Sequence, residues 1–146
     1  MNLSFQEKSA WGLLAGILLV SGYYFPAALA VVEQTGHPVP LLLVSIGGVV
    51  AIVVIEVIYH ILIAVSGDTR TDERDVLIDL KAGRNGGLIL GVALFSLIGH
   101  VVWQYIRLEG AGPNPLTIVV YIVGALALAE AAKLVSQIWY YRADAL

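Results

Sequence analysis

Four apolar runs dominate the chain, and each is long enough to cross the hydrocarbon core of a lipid bilayer. They cover residues 9–32, 40–65, 85–106 and 116–140. Crossing about 30 Å of hydrocarbon takes roughly 20 apolar residues as a helix. A strand of a membrane barrel needs only about 9–11 residues, in an alternating pattern that these runs lack. Lipid offers no partner to backbone N–H and C=O groups, so each run must close its own hydrogen bonds as a helix. The connections at 33–40 and 109–115 are short and rich in Gly and Pro, which end helices. The expected fold is all-α: a polytopic bundle of four transmembrane helices in a single membrane domain over residues 1–146. A short cytoplasmic or interfacial helix is expected between the second and third spans.

Composition removes other classes. Charged residues make up 13% of the chain, against about 25% in a soluble domain. There is no Cys, which excludes a disulfide framework, a thiolate metal site and a Cys nucleophile. A net charge of −3 leaves no basic footprint for nucleic acid. Residues Ala28, Leu29 and Ala30 after an apolar run resemble a signal-peptide cleavage site, but Glu7 cancels the positive charge of Lys8 that such a peptide needs. Ser4 and Glu7 instead fit the S-x-x-E pattern of a capped helix start. The first span is therefore expected to be retained.

Lys and Arg set the expected orientation. The central loop region carries Arg70, Arg74, Lys81 and Arg84, the N-terminal segment Lys8 and the C-terminal segment Arg142, while the opposite side has only Arg107. Both termini and the central loop are thus expected in the cytoplasm. Trp11, Trp139, Tyr140 and Tyr141 would form an inner aromatic belt, and Tyr23, Tyr24, Phe25, Trp103 and Tyr105 an outer one.

Helices associate in lipid through close packing of small residues and through polar contacts. The third span carries Gly83, Gly87 and Gly91 at i, i+4, i+8, with Gly99 continuing the stripe; the first carries Gly12 and Gly16, and the fourth Ala125 and Ala129. Such a glycine zipper serves either packing within the chain or a homodimer interface.

The costly residues inside the spans share faces. Glu56, Tyr59 and His60 lie at i, i+3, i+4 on the second span; Glu130, Lys133 and Gln137 lie at i, i+3, i+7 on the fourth. Counted from the span ends, the two sets fall at one depth, which predicts an intramembrane polar layer. Three roles compete: a structural ion-pair and hydrogen-bond network, a proton or ion relay, and a metal site. Lys133 and the lack of an E-x-x-H pair argue against a metal, so no metal and no cofactor are expected. His100 is expected to be an interfacial hydrogen-bonding residue.

Residues 67–84, GDTRTDERDVLIDLKAGR, hold nine of the nineteen charged residues. Thr71 is placed to cap a helix whose first turn carries Asp72, Glu73 and Asp75, favoured at a helix N-terminus. Its charges do not pair along the helix in the usual way. Asp75 and Asp79 are like charges at i, i+4, and Lys81 and Arg84 have no acidic neighbour at i±3 or i±4; only Arg70 and Glu73 are spaced to pair. The rest must find partners in the polar layer, the Arg142/Asp144 tail, a second subunit, another protein or lipid phosphates.

This box, with Thr71, Asp72, Glu73, Arg74 and Asp75, then Ile78, Lys81, Ala82 and Arg84, resembles a DERD-x-x-I-x-x-(K/R)-A-x-R signature of small uncharacterised four-helix proteins of the bacterial inner membrane. The opening residues Ser4 to Trp11, the pair Glu130 and Lys133, and the closing Tyr140, Tyr141 and Arg142 are similar to the same group. The resemblance follows the order of elements along the whole chain, and its one specific motif is the central box. It implies a bacterial inner-membrane location and a cytoplasmic protein partner, since such genes lie beside those of small helix-turn-helix regulators. It carries no activity with it.

No enzyme is expected, because the chain has no nucleophile elbow, phosphate-binding loop, thiol or metalloprotease spacing. Gly83, Gly86 and Gly87 stand at the start of a membrane helix, where they read as packing. The leading expectation is a non-enzymatic regulatory or scaffold protein acting through the box residues Asp72, Glu73, Arg74, Asp75, Asp79, Lys81 and Arg84. The alternative is a small oligomeric transporter or proton/ion channel lined by Glu56, His60, Glu130 and Lys133. Membrane lipid and a second copy of the chain are the other expected partners.

Overall fold

A computed structural model of the chain describes residues 4–65, 72–107 and 112–143. Four helices run through them: α1 (Phe5–Thr35), α2 (Pro38–Ala64), α3 (Glu73–Arg107) and α4 (Pro115–Ala143). All four are long and apolar enough to cross a membrane, as expected for a multi-pass membrane protein.

The helix starts and stops follow local chemistry. Ser4 caps α1, its hydroxyl accepting from the Glu7 N–H at 3.1 Å. Gly36 closes α1 in the left-handed conformation, φ 60°, with its N–H on Val32 O; glycine adopts this conformation without a Cβ clash. Pro38 then opens α2, where the missing N–H costs nothing. Asn114 begins α4, its side chain accepting from Leu116 N at 2.9 Å.

At α3, Asp72 and Asp75 cap reciprocally: Asp75 N donates to Asp72 Oδ1 at 2.8 Å, and Asp72 N donates to Asp75 Oδ2 at 3.0 Å. The cap is thus Asp72, and the expected cap Thr71 lies outside the described residues with the rest of 66–71. The described part of the box and the third span form one unbroken helix of 35 residues, about 52 Å long at 1.5 Å per residue. The short helix expected from sequence to run directly into the third span is thus not set off from it as an element of its own. No helix breaker stands between Glu73 and Asn85, and the glycines there cost helix propensity without ending the helix.

The helices stand in a row. α1 packs on both α2 and α4, and α4 packs on α3; among the described residues no comparable packing joins α2 to α3 or to α4. The packing order is α2, α1, α4, α3. Two apolar clusters hold it. Ala10, Leu14 and Ile17 of α1 meet Leu134 and Ile138 of α4 near one end. Tyr24, Ala28 and Val32 of α1 meet Leu41 of α2 and Val120 of α4 near the other. The outer helices α2 and α3 expose most of their large apolar side chains, the surface a lipid-facing helix presents.

The glycines divide by neighbour. A Cβ at Gly12 would overlap the Tyr59 ring of α2, and one at Gly16 would press on Ile55 Cγ2 at 3.3 Å. On α3 the residue against α4 is Gly86, where a Cβ would stand 3.0 Å from both Ala129 O and Lys133 Cβ. The stripe of Gly83, Gly87 and Gly91 meets nothing within 4 Å. It is not an internal packing face.

The contrast predicts opposite effects of one substitution. Gly12→Ala should lower the unfolding midpoint in detergent, because Tyr59 must leave its place. Gly87→Ala should leave it unchanged or raise it, alanine being up to about 1 kcal/mol the better helix former. Circular dichroism during thermal unfolding reads both, and a loss in Gly87→Ala matching that in Gly12→Ala would count against this packing.

Candidate functional site

The starts of α1 and α3 and the ends of α2 and α4 meet at one end of the row, as their cross-helix contacts require. Polar residues there form three connected clasps, each joining one pair of neighbouring helices.

The first joins α1 to α2. His60 Nδ1 lies 2.9 Å from Glu56 O, and a carbonyl can only accept, so Nδ1 carries the proton and donates. In the neutral ring this leaves Nε2 to accept from the Ser9 hydroxyl at 2.8 Å. One turn away, the Tyr59 hydroxyl donates to Lys8 O at 2.7 Å, reached across the cleared space at Gly12. The Glu56 side chain is half-buried and makes no hydrogen bond or ion pair to any described residue.

The second joins α3 to α4. Asp79 Oδ1 accepts from Gln137 Nε2 at 2.8 Å and pairs with Lys133 Nζ at 3.3 Å; Lys133 also lies 3.9 Å from Glu130 Oε1. Toward the helix ends, the Tyr141 hydroxyl donates to Asp75 Oδ1 at 2.8 Å, and Arg74 Nη2 donates to Tyr141 O at 3.3 Å. On the opposite side of the same interface Asn85 Nδ2 reaches Ser136 Oγ and Tyr140 Oη, both at 3.2 Å. Lys81 Nζ stands 5.7 Å from the Tyr140 ring centre, within cation–π range. Gly86 makes these contacts geometrically available: without a Cβ, α3 comes close enough to α4 for Asp79, seven residues earlier on the same face, to meet Lys133.

The third joins α1 to α4. The Glu7 carboxylate, only 9% exposed, pairs with Arg142 Nε at 3.5 Å, and the Arg142 guanidinium lies 5.4 Å from the Trp11 ring centre. Glu7 therefore uses its N–H for the α1 cap and its side chain for the last turn of α4. Glu7 Oε1 has no hydrogen bond among the described residues, so the ion pair is its compensation.

The second clasp and Ser9 of the first border an open cleft of about 410 Å³ lined by α1, α3 and α4. Ser9, Asp75, Asp79, Glu130, Lys133 and Gln137 supply its polar wall, and Ala10, Leu13, Val76, Leu80 and Leu134 an apolar one. Among the described residues no three His, Asp or Glu stand close enough to hold a metal ion. The chemistry available is hydrogen bonding and ion pairing at a wet, mixed-charge rim.

The residues of the expected polar layer are divided by this arrangement. Glu56, Tyr59 and His60 lie against α1, whereas Glu130, Lys133 and Gln137 lie on the cleft with Asp79. α1 stands between the two sets. Of the box, Arg74, Asp75 and Asp79 are turned onto α4; Lys81 stacks on Tyr140; Glu73 and Arg84 are exposed. Arg70 and its pairing with Glu73 fall outside the described residues, as does Asp144. His100 sits with Gln104, 2.9 Å from its Nε2, and edge-on to Tyr121. Sequence reasoning missed Ser9, Asn85 and Ser136 as partners; of Gly83, Gly86 and Gly87, read as packing, Gly86 is the one against α4. A polar residue at the buried position of an otherwise apolar helix was the available signal for Ser9 and Asn85.

The Glu7–Arg142 clasp yields a test. Removing Arg142 leaves a buried carboxylate uncompensated, whereas removing both charges does not. Arg142→Gln is expected to destabilise by roughly 1 kcal/mol, the modest scale of a pair whose cation is solvent-accessible. Adding Glu7→Gln should recover part of the loss. Thermal unfolding of the two variants and the parent in one detergent decides it; a double variant weaker than Arg142→Gln alone would overturn it.

No family model matches the chain, and no curated protein or solved structure matches it either.

Proposed function

We propose that this chain is a non-enzymatic multi-pass protein of the bacterial inner membrane, with both termini and the charged end in the cytoplasm, that acts as a regulatory or scaffold protein by docking a cytoplasmic protein. One observation carries the reading. The acidic residues Asp75 and Asp79 of the box are not free in solvent but fixed on α4 by Gln137, Lys133 and Tyr141, where they form the rim of an open cleft at the charged end. A pre-ordered charged rim with an apolar wall is what a docking site needs, because a partner then pays little to order it. Positive charge concentrated at this end supports the cytoplasmic orientation.

The test places a photo-crosslinking residue at Leu80, on the cleft wall, in native membranes. A cytoplasmic protein is expected to crosslink to the parent and to lose most of its yield when Asp79→Asn and Glu130→Gln are combined. Arg107→Gln, at the far end of α3, should leave the yield unchanged. Equal capture by all three proteins would overturn the docking reading.

A second reading, a small oligomeric transporter or proton/ion channel, is favoured by the way the cleft reaches Glu130 and Lys133 within a membrane-crossing helix. It requires a second copy of the chain, because α1 separates Glu56 and His60 from Glu130 and Lys133. The open Gly83, Gly87 and Gly91 face of α3 is where such a homodimer would close. Proton flux into liposomes, reduced at least tenfold by Glu130→Gln, would support it; flux equal to that of empty liposomes would eliminate it.

A further inference from the structure

The charges of α3 are segregated by side. Asp75 and Asp79, with the buried Ile78, Ala82 and Gly86, define the side turned to α4 and the cleft. Lys81 and Arg84, with Leu77 and Leu88, form a second stripe at spacings of three, four and seven residues, flanking α4 at Tyr140. Lys81 and Arg84 are both exposed. Arg84 makes no hydrogen bond or ion pair to any described residue, and Lys81 has only the face of Tyr140. No acidic residue stands three or four positions from either. Trp139, next to Tyr140 in the last turns of α4, is 70% exposed.

Depth decides what meets this stripe. Arg84 immediately precedes the apolar run 85–106, so it stands at the edge of the hydrocarbon. The headgroup layer adds about 5–7 Å per leaflet to a core of about 30 Å. Lys81 lies three residues before Arg84, about 4.5 Å further out. Both cations thus fall inside the headgroup layer, with Trp139 and Tyr140 in the aromatic belt at the same level. Leu88, 64% exposed, continues the stripe into the hydrocarbon.

We infer that Lys81 and Arg84, framed by Trp139 and Tyr140, form a binding site for the headgroup of an anionic phospholipid, with its acyl chain descending along Leu88. The recognised chemistry is a phosphodiester without a compensating amine. The Tyr140 face and its hydroxyl contact to Asn85 hold Lys81 at headgroup level, and Arg84 supplies donors fitted to phosphate oxygens. None of Lys81, Arg84, Trp139 and Tyr140 lines the cleft, so this site is distinct from the docking proposed above.

Fluorescence quenching by brominated lipid reads the site directly. A protein retaining Trp139 as its single tryptophan (Trp11→Phe, Trp103→Phe) is placed in phosphatidylcholine bilayers. These carry a fixed fraction of brominated phosphatidylglycerol or of brominated phosphatidylcholine. The relative association constant for the anionic lipid is expected to be at least threefold, to fall toward one in 0.5 M NaCl, and to be about one with Lys81→Gln and Arg84→Gln combined. The charge-keeping pair Lys81→Arg and Arg84→Lys should retain it, and circular dichroism checks that each variant keeps its helices. A constant of one in the parental single-tryptophan protein, a preference insensitive to salt, or an unchanged preference in the neutral variant would overturn the proposal. If the neutral variant does not fold, the salt series on the parental protein decides: a preference that fades with salt supports the site, and one that persists overturns it.

Discussion

Apolar surface gives helices no reason to associate in lipid, because the acyl chains are as apolar as leucine. Everything that joins these four helices must therefore come from close backbone approach and from polar contacts, and here the two coincide. Gly12 lets the Tyr59 ring cross α1 to reach Lys8 O. Gly86 lets α3 close on α4 so that Asp79 meets Lys133 and Gln137. Each glycine is the clearance and each polar pair the lock. Most locks cluster at one end of the row, while the other end combines the apolar group around Tyr24, Val32 and Val120 with the Tyr24–Ser45 hydroxyl pair at 3.1 Å. The protein is accordingly polarised: a wired, charged end and a plainly packed one.

That polarity shapes α3 most. Its first three turns rise beyond the apolar span and would stand alone in water or among headgroups without α4 beside them. Placing the acids inward lets Tyr141, Gln137 and Lys133 hold this extension. Arg74 joins the acids on Tyr141, while Lys81 and Arg84 stay exposed. A single helix thus faces two media across its width, and the like charges Asp75 and Asp79, unfavourable on an isolated helix, become sensible because each has its own partner on α4.

Much of this was legible in the residues. The four spans follow from run length and backbone hydrogen bonding, and the Ser4 cap of α1 from its S-x-x-E pattern. The lack of local pairing in the box pointed its charges toward other elements, and Asp75 and Asp79 meet theirs on α4. What the residues did not disclose is neighbour order. Glu56 and Glu130 match in depth, but depth along the membrane normal says nothing about which helix stands beside which, and α1 separates them. The glycine spacing likewise marked Gly83, Gly87 and Gly91, since a regular i, i+4, i+8 stripe is conspicuous. The contact belongs to Gly86, one residue off that stripe and about 100° around the helix.

The row geometry also bears on what the chain can do alone. In a closed bundle, residues at one depth on different helices converge on a shared axis, and a polar layer becomes a path. In a row they face opposite sides of the central helices. His60 is committed to Ser9 and Glu56 O, and Lys133 to Asp79 and Glu130, so in a single copy the two polar groups are linked through Ser9 of α1, which also lines the cleft. A continuous route through the membrane would need a second copy to close the array, whereas a docking rim on α3 and α4 is already complete in one. The arrangement thus places the simpler demand on the chain when its charged end is read as a surface for a partner.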